Sequence, residues 1–222
     1  MAESNEQKSG SSRFKSLVVL GSFIIVGVFI MLLMREHSEY SESVQAELAI
    51  VKNSIGPSDW EKVREKTVTY YDKWFHESGL YKNVFEAMIP TQETVWDEVV
   101  DNVATESFGQ RLAYNAQVFA YQVTHRLIMF EYWVWILLPS LIAVIWTGVN
   151  AYRAKTYMIG GVKPNAVRLY LKTTWVTVNL TLCYLMVPNI IGNWAPFTPA
   201  ILLLLFAILV MGIIQSFGKG AN

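Results

Sequence analysis

Tyr132 to Val149 reads YWVWILLPSLIAVIWTGV, eighteen residues without a charge. As an α-helix it spans roughly 27 Å, about the thickness of the hydrocarbon part of a bilayer. Tyr132, Trp133 and Trp135 crowd its start, where an aromatic belt would meet the lipid headgroups. Pro139 removes one helical hydrogen bond and predicts a kink near the middle. Three more apolar runs flank this one. Ser16–Met34 carries no charge, Thr173–Ile191 contains Pro188, which should break or end the helix, and Ala200 to about Ile214 is the most uniformly apolar. Across all 222 residues 53% are hydrophobic and 16% charged, against roughly 25% charged in average soluble domains. The expected fold class is an all-α membrane protein: four transmembrane helices with a helical extracytoplasmic domain between the first and second.

Charge sets the expected orientation. Residues 150–172 hold Arg153, Lys155, Lys163, Arg168 and Lys172 with no acid, and Lys8, Arg13 and Lys15 precede the first run. Short base-rich segments stay on the cytoplasmic side. The expected order is a cytoplasmic tail (1–15), an anchor (16–34), an extracytoplasmic domain (35–126), a three-helix membrane region (127–217) with its basic loop (150–172), and a cytoplasmic tail (218–222). The localisation that follows is a bacterial inner membrane, multi-pass, with both termini cytoplasmic. The first run exceeds the roughly 7–15 residues of a signal-peptide core, and MLLMREHSEY has no small-x-small cleavage pattern, so an uncleaved anchor is expected.

The 35–126 segment reads as helices. Ser58-Asp59-Trp60-Glu61 after Pro57 has the form of a capping box. From there Trp60, Val63, Thr67, Tyr70 or Tyr71, and Trp74 recur every three or four residues, which predicts one aromatic face on a helix ending near Gly79. An earlier helix is expected to run on from the first span through Val44, Leu48 and Val51. Another should begin near Thr91, and after Gly109 the pattern Leu112, Ala116, Phe119 or Ala120, Val123 leads into the second span. Trp60, Tyr70, Tyr71 and Trp74 are the candidate extracytoplasmic contact residues; packing in the core and against a partner is the expected use.

Catalytic chemistry has no foothold. The sequence contains no GxxxxGK[ST], GxSxG, HExxH or CxxC. Cys183 is the sole cysteine, and His37, His76 and His125 stand far apart, so no catalytic residue, cofactor or metal is expected. Glu93, Asp97, Glu98 and Asp101 read as a solvated helix face, and Glu131 as a carboxylate at headgroup level. Thr173, Thr174, Thr177, Asn179 and Thr181 make the third run polar, which favours contact with neighbouring helices.

Leu138-Pro139, Gly148, Arg153, Lys155 and Pro164, in LLPSLIAVIWTGVNAYRAKTYMIGGVKP, resemble the TraJ-like inner-membrane proteins of conjugative plasmids and integrating conjugative elements. The resemblance implies a non-catalytic component of the DNA-transfer apparatus, working with a type IV secretion machine or its coupling ATPase. It implies membrane lipid and secretion subunits as partners, a homo- or hetero-oligomer, no direct nucleic-acid contact, and docking through the basic loop. A small transporter or a ligand-sensing membrane protein is the alternative.

Overall fold

The computed structural model describes residues 22–23, 26–83, 101–155, 164–188 and 191–216, with backbone alone for 101–108, 155 and 164–165. Every regular element among the described residues is helical. Residues 26–34 form α1, His37–Ser54 α2, and Pro57–Tyr71 α3, which continues as a π-helical turn over Asp72–Glu77. Asp101–Lys155 is a single helix, α4; Pro164–Met186 is α5 and Thr198–Ser216 α6, joined through a 3₁₀ turn at Gly192–Trp194.

α4 has 55 residues and so a length of roughly 80 Å. Pro139 lies inside it, with helix on both sides. Its first half carries α2 and α3; its second half packs with α5 and α6. α2 runs parallel to α4, since His37, Tyr40 and Glu47 meet Asn115, Gln122 and Arg126 in that order. α3 returns antiparallel, Asp59 meeting Tyr132 and Thr67 meeting His125. The α2–α3 turn therefore sits level with Tyr132, where Val51, Ile55, Val63, Ile128 and Met129 form one core and Trp60 and Trp133 pack against it. A second core joins Val28 and Leu32 of α1 to Tyr40, Val44 and Leu112.

Several local expectations change. The start of α3 is set by Pro57 at its first position after an extended Gly56, and no side chain caps it. Proline needs no partner for the N–H it lacks, so the Ser58 capping box is not used. The helix expected to run unbroken out of the first span stops at Arg35, where Glu36 is extended (φ −64°, ψ 140°) before α2 begins. α3 and its π-helical turn end against Gly79 at φ 77°, a left-handed position that suits glycine. The helix expected near Thr91 lies outside the described residues.

Two described helices are long and apolar enough to cross a membrane: the Gly109–Ala154 part of α4, and α6. α5 has the length, but threonines, Asn179 and Lys172 lower its hydropathy. The structure shows how those polar groups are accommodated. Thr173, Thr174, Thr177 and Thr181 each donate to the carbonyl four residues back, and Asn179 donates to Trp175 O at 2.8 Å. These side chains bond to α5's own backbone, Thr177 while buried against its neighbours, which removes their donors from the helix's outer surface. That surface is apolar. Trp175, Val176 and Leu180 face outward on α5, as do Trp135, Ile142 and Trp146 on α4 and Ile201, Phe206 and Ile208 on α6. Three adjoining helices with their large apolar side chains outside form a band far beyond the scattered exposure of a soluble surface.

α1 does not lie beside this band. Its end meets α4 at Asn115, which is about seventeen residues, or roughly 25 Å, before Tyr132.

α4 and α6 approach closely at Gly148. A Cβ there would lie 3.1 Å from Met211 Cα and 3.2 Å from Met211 O, backbone atoms with nowhere to move. Gly148→Leu is expected to lower stability by about 1–3 kcal/mol through overpacking. Thermal unfolding of the detergent-solubilised protein measures it, and an unchanged midpoint would refute the tight crossing.

Candidate functional site

Asn115, Gln122 and Arg126 stand at intervals of seven and four on α4, one stripe of the helix, and all are buried. The first two each meet α2 or the end of α1. Asn115 Nδ2 donates to Leu32 O at 2.9 Å and to Arg35 O at 3.0 Å, carbonyls exposed where the chain leaves α1. Its Oδ1 lies 3.1 Å from His37 Nδ1, which must then carry the proton. Gln122 Oε1 accepts from Tyr40 Oη at 2.8 Å. Burial pushes the Tyr40 hydroxyl well above its ordinary pKa, so it stays a donor.

Arg126 is the centre of the stripe. Its side chain is 1% exposed and that of its partner Glu47 3%. Nε donates to Glu47 Oε1 at 2.8 Å and Nη2 to Oε2, the two-pronged geometry that a planar guanidinium gives a carboxylate. Nη1 donates to Tyr184 O and, at 2.9 Å, to Val187 O. Those carbonyls are at the end of α5. A continuing helix would supply Tyr184 O from the N–H of residue 188, but residue 188 is proline. The guanidinium takes that place, and its positive charge suits the negative end of the helix dipole. The Tyr184 ring completes the enclosure, with Arg126 Cζ 4.7 Å from its centroid. One side chain thus ties α2 of the outer half to the end of a helix of the apolar half.

His125 lies beside this pair. Thr67 Oγ1 already donates to Val63 O at 2.7 Å, so at 3.4 Å it accepts from His125 Nδ1. The lone pair on Nε2 is buried with no partner among the described residues, as is Gln122 Nε2. Burial lowers the His125 pKa to about 4; Glu47 opposes the shift and Arg126 adds to it. The imidazole is therefore neutral at pH 7. Glu131 pairs with Lys66 of α3 at the rim.

Most of the aromatic residues singled out in the sequence lie toward α4. Trp60 and Tyr70 pack on the same core, Trp60 edge-on to His125 with centroids 5.9 Å apart. Tyr71 meets Tyr121 of α4 and Phe75. Trp74 pairs with Tyr70 at 5.0 Å and is exposed. It lies in the π-helical turn, whose wider winding breaks the 3.6-residue period after Tyr71. Of the basic residues, Arg153 lies over the Trp146 ring at 5.8 Å, and Arg168 and Lys172 are exposed on α5. All three belong to the end of the bundle away from α2 and α3. Lys163 and the Lys155 side chain lie outside the described residues. No three His, Cys, Asp or Glu side chains among the described residues gather as they would around a metal ion.

An all-helical chain with an outward apolar band on one half and a polar, cross-linked helical layer on the other defines the class. Residues 18–217 match the family described as IncC plasmid conjugative DNA transfer protein DtrJ-like. The chain belongs to the DtrJ-like family, and so has a role in conjugative DNA transfer. The conjugation association expected from the Leu138–Pro164 motif stands under that description. No curated protein and no solved structure matches the chain.

Removing one member of a buried ion pair strands the other, at a cost of about 3–5 kcal/mol. Arg126→Leu is expected to lose at least that much. Glu47→Leu with Arg126→Leu should recover only part of it, because the Tyr184 and Val187 carbonyls still lack a donor. Full recovery in a double-mutant cycle of unfolding free energies would remove the capping role. The histidine gives a separate test. Since its folded pKa lies below the ordinary 6.5, the unfolded chain binds the proton first, and stability should fall as pH drops from about 6.5 to about 4. His125→Gln should flatten that decline in thermal unfolding; an identical slope would show that another group governs it.

Proposed function

We propose that this chain is a non-catalytic scaffold or adaptor of a conjugative type IV secretion apparatus, embedded in the bacterial inner membrane. Family membership over residues 18–217 is the observation that carries the conjugative role. Kinship with TraJ-like inner-membrane proteins is part of the same reading. The outward apolar band of α4, α5 and α6 supports the membrane setting. α5 joins the two more apolar helices as a crossing because its hydroxyls are satisfied internally. With residues 16–34 as a further crossing the total is four, both ends are cytoplasmic, and α2 and α3 lie outside. Arg153, Lys155, Lys163, Arg168 and Lys172 then form a cytoplasmic basic end suited to docking the coupling ATPase, while other secretion subunits or further copies complete the assembly.

A second topology is favoured by one observation. The end of α1 is held at Asn115, roughly 25 Å outside the level of Tyr132, so that end is not in register with the three-helix bundle. In that case three helices cross and α1 lies on the outer side against α4.

Deleting the gene from its conjugative element should abolish transfer and a plasmid-borne copy should restore it; transfer at normal frequency in the deletion would overturn the assignment. Reversing charge at Arg153, Arg168 and Lys172 together should leave the protein in the membrane while cutting transfer and co-purification of the coupling ATPase. For the topology, Ser9→Cys in a Cys183→Ala background is labelled with a membrane-impermeant maleimide on intact spheroplasts. Protection supports four crossings, and labelling as strong as that of Ser78→Cys supports three.

A further inference from the structure

The turn between α2 and α3 holds a feature that the scaffold reading leaves unused. An open trench of about 990 Å³ runs along it, lined by Lys52 and Asn53 of α2, by Gly56 between the helices, and by Trp60, Glu61 and Arg64 of α3. Its size lies within the range of small-molecule sites. Its depth along the molecule matters as much as its lining. Asp59, at the start of α3, accepts from Tyr132 Oη at 3.2 Å, and Ile55 and Val63 share a core with Ile128 and Met129. α2 also touches the Gly192–Trp194 turn that joins α5 to α6. The trench therefore opens beside the aromatic end of the apolar band, at the height of the lipid headgroups if the band is in a bilayer.

Its charges are of both signs and are arranged in order. Lys52 makes no ion pair among the described residues. Arg64 is steadied by Glu61 through one contact, Nη2 to Oε1 at 2.7 Å, which leaves its other N–H groups for a further acceptor. A phosphate between Lys52 and Arg64 would have charge-assisted donors from both helices. Glu61 would then stand ready for a cation carried a few bonds away from that phosphate, and Trp60 supplies an apolar wall for the glycerol and first methylenes. Simple anions would meet the Glu61 carboxylate without compensation, which argues against a free phosphate or a purely anionic headgroup.

We infer that this trench binds the headgroup of an outer-leaflet aminophospholipid, with its phosphodiester between Lys52 and Arg64 and its primary ammonium on Glu61. Such a lipid would fasten the α2–α3 turn to the membrane surface. The inference rests on the membrane reading given above, and the test keeps the two apart.

The full-length protein is reconstituted into nanodiscs of equal parts phosphatidylethanolamine, phosphatidylcholine and phosphatidylglycerol, and the lipids retained on release into the gas phase are counted by native mass spectrometry. Wild type should retain phosphatidylethanolamine over phosphatidylcholine by roughly tenfold, the value of a charge-assisted hydrogen bond. Lys52→Ala with Arg64→Ala should lose retention of all three. Glu61→Gln should keep the phosphate contacts but bring phosphatidylethanolamine down to the level of phosphatidylcholine, an outcome that a purely structural role for Glu61 would not produce. All three positions are exposed, so the variants should keep the wild-type unfolding midpoint. Entry into nanodiscs with no headgroup preference, or a preference for phosphatidylglycerol, overturns the trench assignment alone. Failure to enter nanodiscs overturns the membrane reading with it.

Discussion

Pro188 has no N–H to give the carbonyl of Tyr184, and α5 ends there with its last carbonyls facing the interior of the molecule. A buried carbonyl without a donor is costly, more so if the surroundings hold little water. Arg126 meets the demand, but a guanidinium brings a charge into a site where its side chain is almost wholly enclosed. Glu47 answers that charge. The three requirements close on one another: the proline calls for a donor, the donor carries a charge, and the charge needs a carboxylate from a third helix. Asn115 repeats the device without charge at the end of α1, its amide supplying Leu32 O and Arg35 O. α4 is thus more than a long rod. It is the element that terminates two other helices, and the positions of α1, α2 and α5 along it follow from where its polar side chains fall.

The sequence disclosed the apolar half well because that half is governed by composition. Runs without charge, Pro188 as a stop and the aromatic cluster at Tyr132 each act locally, and α6 lies within two residues of its expected bounds. The outer half was legible in kind and misread in detail. Ser58 with Glu61 has the pattern of a capping box, yet Pro57 fixes the first turn and the box stays unused. The aromatic face holds through Tyr70 and Tyr71 and loses Trp74 to the surface, because a π-helical turn begins at Asp72 and no period of three and four residues announces such a turn. Arg126 and Glu47 lie 79 residues apart, so their pairing belongs to tertiary structure. A signal was nevertheless present. Asn115, Gln122 and Arg126 repeat at heptad-like intervals amid Leu112, Ile128 and Met129, and polar residues on the buried stripe of a helix seldom lack partners.

The hydroxyl-rich α5 shows how an average hydropathy understates the apolarity of a helix's surface. Each threonine subtracts from the average as if its hydroxyl faced solvent, whereas four of them in α5 are bonded to carbonyls of the preceding turn. The surface such a helix presents is that of its methyl groups. Length and average apolarity select α6 and the Gly109–Ala154 stretch, while the bonding pattern brings α5 into the same band.

The same accounting bears on how the two halves communicate. Trp133 Nε1 donates to Pro196 O at 2.7 Å, and Tyr184 Oη donates to Ala195 O at 3.3 Å, so the turn between α5 and α6 hangs on side chains from α4 and α5. Arg126 sits about two helical turns before Trp133 on α4, between the end of α5 and α2. A force applied to α2 by an outer partner would reach the end of α5 through Glu47 and Arg126, because the apolar contacts around them can slide and a two-pronged ion pair cannot. A shift of α2 would have to carry the guanidinium with it, uncovering Tyr184 O, or else break the pair and leave two buried charges. Either alternative is expensive, so the outer helices and the ends of the membrane-type helices should move as one body. In the scaffold reading proposed above, that rigidity suits a part that holds other subunits in fixed register.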